Sequence, residues 1–117
     1  MPTLPMIGYS FGDVVLVPFP FTDQSGSKKR PAVVISTDRY QRERPDLILM
    51  PITSQNPGST RFGDAPVRDI QAAGMLMPGV IKPVIFTIEA NMVQKALGRL
   101  VEDDQRCLRH SIAQLIG

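Results

Sequence analysis

The segment Asp13-Val14-Val15-Leu16-Val17 decides how this chain folds. It is a β-branched run too apolar for simple alternation, so it reads as a strand buried on both faces. Pro18 and Pro20 interrupt ladder donation and end that strand or mark it as an edge. Asp23-Gln24-Ser25-Gly26-Ser27 is turn chemistry: Asp and Ser bond local backbone, and Gly is free to take positive φ. Ala32-Val33-Val34-Ile35 follows as a second buried strand.

Working outward, the segment before Phe11 carries Pro2, Pro5 and Gly8 without periodicity and reads, over residues 1–9, as a loosely held lead-in. Downstream, Ser36, Thr37 or Asp38 caps a short helix through Arg42, which Pro45 stops. Leu47-Ile48-Leu49-Met50-Pro51-Ile52-Thr53 is a third strand. Residues 55–64 are rich in Gly, Pro, Ser, Thr and Asn and form a long loop. A short strand is expected over 65–68, and a strong one over 83–89 around Val84-Ile85-Phe86-Thr87-Ile88. One helical turn over 91–95 precedes another paired segment at Leu97-Gly98-Arg99-Leu100.

The one long helix spans 102–116. Glu102, Asp103 and Asp104 suit its N-terminus, and Leu108, Ile112, Leu115 and Ile116 form one apolar stripe. His110 falls about 200° around the helix from Leu108 and reads as a surface residue. These elements predict a mainly β, single-domain chain over 1–117: a strongly bent antiparallel sheet or partly closed barrel with a C-terminal helix.

Composition narrows the class. Of 117 residues, 43% are hydrophobic and 21% charged, which argues against intrinsic disorder. Gly and Pro together supply 20 residues, an excess that favours short strands and many turns. A single Cys excludes an intramolecular disulfide framework and a Cys-based zinc site. No segment approaches the ~18 apolar residues of a membrane helix, and the cytoplasm is the expected location. The net charge of +2 is unevenly spread. Residues 28–44 hold Lys28, Lys29, Arg30, Arg39, Arg42 and Arg44 against Asp38 and Glu43, leaving +4, whereas the rest of the chain is at −2. That asymmetry points either to an anion-facing surface or to a solvated loop.

Five blocks in order resemble one known family. They are Gly12 to Val17, Lys29-Arg30-Pro31-Ala32-Val33-Val34-Ile35-Ser36, Pro51-Ile52-Thr53-Ser54-Gln55, Ala73-Gly74-Met75-Leu76, and Val84 to Leu100 ending in Leu97-Gly98-Arg99-Leu100. Together they cover Phe11 to Leu100 and resemble the MazF/PemK toxins of bacterial type II toxin–antitoxin systems, which are ribosome-independent endoribonucleases. The resemblance implies a small SH3-like antiparallel β-barrel acting as a homodimer, with an RNA groove across the dimer interface and no cofactor or metal. It implies single-stranded mRNA as substrate and a cognate antitoxin with an acidic, flexible segment. DNA is then met only through the antitoxin, and no membrane is involved.

The resemblance also implies Arg30 and Thr53 as the catalytic pair. Cleavage without a metal proceeds by attack of a ribose 2′-hydroxyl on its adjacent phosphate, giving a 2′,3′-cyclic phosphate and a 5′-hydroxyl. Arg30 suits the crowded phosphorus centre, because its planar fork binds two oxygens and stays charged. The Thr53 hydroxyl can hold a phosphate oxygen or relay a proton. A two-histidine mechanism is impossible within one chain, since His110 stands alone. Lys28 and Lys29 are candidate phosphate contacts, and Ser54 and Gln55 candidate hydrogen-bonding partners of RNA. Phe19, Phe21 and Phe62 are aromatic candidates for stacking on unpaired bases, with packing the competing role, above all for Phe19.

Each residue also has a purely structural role open to it. Arg30 can pair with Asp13 or Asp23, Thr53 can form a turn, the lysines can be solvated, and Ser54 or Gln55 can satisfy the following loop. The chain departs from the family at Pro78-Gly79, where members commonly carry Pro-Ser. Two other readings stay on the same fold. One is a CcdB-like poison that binds DNA gyrase, which the Leu115-Ile116-Gly117 terminus and the absence of Trp disfavour. The other is a catalytically weak member kept for binding RNA or antitoxin.

Overall fold

The computed structural model describes residues 8–19 and 28–117. Strand β1 (Asp13–Pro18) pairs antiparallel with β2 (Lys29–Val34), setting Val14 opposite Val33 and Val17 opposite Arg30. Its other edge carries β7 (Lys95–Arg99), with a bulge that leaves Leu97 between the partners of Val14 and Val15. Both faces of β1 are buried, as its unbroken apolar run requires. Val14 joins one core with Val33, Met50, Ile52 and Leu108, whereas Val15 and Val17 join another with Ala32, Val34, Leu49 and Phe86.

A short helix α1 (Asp38–Glu43) connects β2 to β3 (Asp46–Ser54). Thr37 caps it by accepting a hydrogen bond from the Tyr40 amide. Strand β3 is the centre of the sheet. One edge pairs with β2, and the other pairs first with β6 (Phe86–Glu89) and then with β5 (Gly79–Ile81), which carries β4 (Ala65–Val67) outside it. All pairings are antiparallel, and the strand path β4-β5-β3-β2-β1-β7, with β6 beside β3, curls into a partly closed barrel. Single 3₁₀ turns occupy Pro57–Ser59 in the 55–64 loop and Ala90–Met92 after β6. Helix α2 (Glu102–Ile116) packs over β4.

The two ends of the strand path meet through backbone rather than side chains. After β4, a turn over 70–74 docks on β7, where the Arg99 amide donates to the Ala72 carbonyl at 2.9 Å. Gly98 makes that approach possible, because a Cβ there would stand 2.6 Å from the Ala73 carbonyl carbon. Gly74 answers it from the turn with φ +75°, a conformation that favours glycine.

Two expectations are corrected and one element is added. The segment 83–89 is not one strand: Lys82 still bonds Pro51, Val84 folds back onto Lys82, and pairing with β3 resumes only at Phe86. Val84 and Ile85 are consequently exposed. Strand β5 is an element the sequence did not signal, being too short for a periodicity. The α2 stripe is buried only at its start, with Leu108 at 0% and Ile112 against the core, while Leu115 and Ile116 are 36% and 64% exposed. Asp104 is buried as well, and accepts from the Arg68 and Asp69 amides at 3.1 and 3.0 Å. Most of the lead-in and the 23–27 turn lie outside the described residues.

Candidate functional site

The first residues of β2 and the last of β3 lie at the same end of the sheet. Their register runs Ala32 to Pro51, Val33 to Met50 and Val34 to Leu49. The pairing stops there, and Ile52, Thr53 and Ser54 turn to β5 instead; Arg30 and Thr53 each stand two residues beyond the last pair, at the same parity of their strands. Strand alternation then turns both side chains to the face of Ala32, Val34, Leu47 and Leu49. Lys29 and Ser54 alternate to the opposite face, that of Val33, Met50 and Ile52.

Arg30 is half-buried, and its guanidinium carbon lies 5.9 Å from the Phe19 ring centroid, within cation–π reach. Phe19 in turn meets Phe86 edge to face at 5.3 Å. The Arg30 Nε is buried and has no hydrogen-bond partner among the described residues. The ion pair to Asp13 does not form. Asp13 instead takes Arg99 at 2.6 Å and the Ser10 amide at 2.9 Å. Asp23 and Phe21 lie outside the described residues.

The basic segment splits into two parts. Arg39 pairs with Glu43 at 3.4 Å and Arg44 with Asp46 at 3.6 Å, both on the α1 side. No ion pair among the described residues involves Lys28, Lys29 or Arg30. These three line a slot of about 360 Å³ with Pro31, Ile52, Ser54, Gly74, Met75, Leu76, Met77 and Leu97. That lining contains three cations and no carboxylate, so it favours anions. A larger cavity of about 430 Å³ lies between residues 8–10, α1 and the start of β3. Asp38 and Asp46 line it, and the Tyr40 hydroxyl bonds Asp46 at 2.7 Å. That bond holds the Asp46 carboxyl below its usual range and the Tyr40 phenol above its own. Arg42 and Arg44 line this cavity too, so two cations face two carboxylates and it lacks the cationic excess of the slot.

Gln55 is occupied inside its own loop. Its amide nitrogen donates to the Ser59 carbonyl at 3.1 Å and its oxygen accepts from Lys82 at 3.2 Å. Lys82 also reaches Asp64 at 2.9 Å. Burial pushes the Asp64 carboxyl up, but the Arg61 amide and Lys82 outweigh it and hold the group below its usual range. Phe62 is 73% exposed on this loop. His110 is exposed on α2.

Position 79 has a definite environment. Gly79 is buried opposite Ser54, and a Cβ on it would stand 2.5 Å from Met75 Cε and 2.9 Å from Ile52 Cγ2. Met75 fills the space that a serine side chain would need. Sequence reasoning did not find Met75 or Met77 as slot residues. The available signal was their place just after the Ala73-Gly74 pair, whose close approach to β7 fixes them there.

The model of PemK-like, MazF-like toxins of type II toxin–antitoxin systems matches residues 10–116. Solved structures of the same shape include the Mycobacterium tuberculosis toxin MazF-mt6, at 17% identity and TM-score 0.69 over 87% of this chain and 93% of that one. An endoribonuclease in complex with its cognate antitoxin from a mycobacterial species matches at 15% identity and TM-score 0.75, over 94% and 96%. A chain of MazE-MazF from Deinococcus radiodurans matches at 21% identity and TM-score 0.71, over 93% and 96%. At these identities the likeness is one of fold. No curated protein matches the chain.

Proposed function

The chain belongs to the PemK-like, MazF-like toxin family of type II toxin–antitoxin systems, and from that premise we propose that it is a metal-independent endoribonuclease cutting single-stranded mRNA. The ribose 2′-hydroxyl gives up its proton to solvent, its oxygen attacks the adjacent phosphorus, the bond to O5′ breaks and O5′ takes a proton from solvent, leaving a 2′,3′-cyclic phosphate and a 5′-hydroxyl.

The observation that carries this reading is Arg30: a guanidinium resting on Phe19, with no carboxylate partner among the described residues. An arginine neutralised by an acid would be a poor phosphate ligand, because the ligand would first have to displace that acid. Arg30 acts by electrostatic stabilisation, since a guanidinium keeps its proton and makes an ineffective base. The negative charge that builds on the non-bridging oxygens is met by its fork, and the Thr53 hydroxyl donates to a further oxygen. Lys28 and Lys29 hold the flanking phosphates, and Ser54 stands at the edge of the slot.

The proposal includes a homodimer and a cognate antitoxin whose acidic segment covers Lys28, Lys29 and Arg30, with DNA met only through that antitoxin. One related endoribonuclease is solved with its cognate antitoxin, which supports this partnership. The test is incubation with single-stranded RNA in EDTA, using ribose and 2′-deoxyribose at a mapped cleavage position. Cleavage of the ribose substrate alone is expected. Cleavage of the deoxy substrate, or a strict need for a metal, refutes the mechanism.

A further inference from the structure

We propose that Met75 is a specificity-determining residue of the slot beside Arg30, forming an apolar floor for one unpaired nucleobase of the bound RNA. This rests on the RNA-cleaving reading above and adds to it what is read next to the phosphate. Gly79 admits Met75: the thioether methyl occupies the space into which any Cβ at position 79 would project, against Ile52. The Met75 backbone is fixed by its N–H, which donates a hydrogen bond to the Ile70 carbonyl at 2.9 Å, so the side chain leaves from a set position. Leu76 and Met77 stand beside it at 97% and 60% exposure, large apolar groups presented to solvent next to three cations.

That combination suits a ligand with a flat apolar body and an anionic backbone. A thioether makes favourable, geometrically tolerant contact with an aromatic ring. Ser54, at the slot's edge, supplies a hydroxyl that both donates and accepts toward a base edge. At about 360 Å³ the slot holds one such unit. An amphipathic peptide helix spreads its anchors over several turns and needs a longer groove. The slot touches the proposed phosphate site only through Arg30, since Thr53 does not line it.

The test uses fluorescein-labelled 2′-O-methyl hexanucleotides, which cannot be cleaved, as the four homopolymers and as a fully abasic backbone. Binding is followed by anisotropy to the wild type, Met75→Ala, Met75→Leu and Gly79→Ser, with melting curves confirming the fold. The wild type should prefer at least one base-bearing hexamer to the abasic one by about three- to tenfold, the size of a sulfur–ring contact. Met75→Ala should lose that preference while keeping its affinity for the abasic backbone, and Met75→Leu should retain most of it. Gly79→Ser, which displaces the thioether, should behave like Met75→Ala. Equal binding of abasic and base-bearing hexamers by the wild type overturns the slot but leaves the phosphate site standing. So does a full preference in Met75→Ala. Failure of the wild type to bind any hexamer overturns the RNA reading itself. Tighter, Met75-dependent binding of an acidic leucine-containing peptide would assign the slot to a protein partner instead.

Discussion

Replacing Gly98 by alanine tests the joint that closes the barrel beside the candidate site. The new Cβ would lie 2.4 Å from the Ala72 carbonyl oxygen and 2.6 Å from the Ala73 carbonyl carbon, both backbone atoms, so no side-chain rotation relieves it. Restoring an ordinary contact of 3.4 Å requires β7 and the 70–74 turn to part by about 1.0 Å. That displacement would stretch the Arg99 N–H bond to Ala72, now 2.9 Å, past the useful range. Overpacking costs about 1–3 kcal/mol and the lost hydrogen bond about 1 kcal/mol more. For a domain of this size a loss of about 3 kcal/mol lowers Tm by roughly 10 °C. The assay is thermal unfolding followed by circular dichroism, with Gly58→Ala as control, where the nearest atom to a new Cβ is Asn56 Oδ1 at 3.4 Å. The control should shift Tm by less than about 2 °C. A Gly98→Ala melt as close to the parent as that would refute the claim that backbone contact closes the barrel.

Further outcomes follow from the site. Thr53→Val keeps the shape and removes the hydroxyl, so single-turnover RNA cleavage should fall by on the order of 10²-fold, whereas Thr53→Ser should stay close to the parent. Asp64→Asn should cost about 1–3 kcal/mol in urea unfolding at pH 7. Because the folded carboxyl titrates below its unfolded value, that stability is present above about pH 4 and lost as pH falls through the lower folded value. The gap between wild type and Asp64→Asn should therefore close in acid, and a gap that persists at pH 2 would contradict the ion pair with Lys82. His110→Ala should leave both the cleavage rate and its pH profile unchanged, since His110 is exposed on α2.

The strands that position the site were legible because each is a run of β-branched or apolar residues. Val14, Val15 and Val17 divide between the two cores as a run without polar alternation must. The Thr37 cap and the end of α1 before Pro45 were legible for a local reason, because capping and proline act within one turn. The missed features are those that tertiary pairing decides. Val84 and Ile85 have strong strand propensity, but Lys82 and Val84 bond locally and turn both residues out to solvent. Asp104 looked like a helix-dipole residue and is buried as the acceptor for two amides 35 and 36 positions away. At the site, Arg30 and Thr53 stood out through their motifs, but their common face depends on the β2–β3 register. Lys82 joining Gln55 and Asp64, and Met75 filling the space beside Gly79, required the folded sheet.

The most direct test of the account is the single-turnover rate of RNA cleavage by Arg30→Ala in EDTA, beside the wild type and with both melting curves recorded. The Arg30 guanidinium has a cation–π contact with Phe19 and no ion pair among the described residues, so its removal should change stability by no more than about 1 kcal/mol. The rate should fall by about 10²–10³, the cost of losing one preorganised group at the developing charge. A folded Arg30→Ala protein that cleaves RNA within about fivefold of the wild type, far less than that cost, would contradict the central claim.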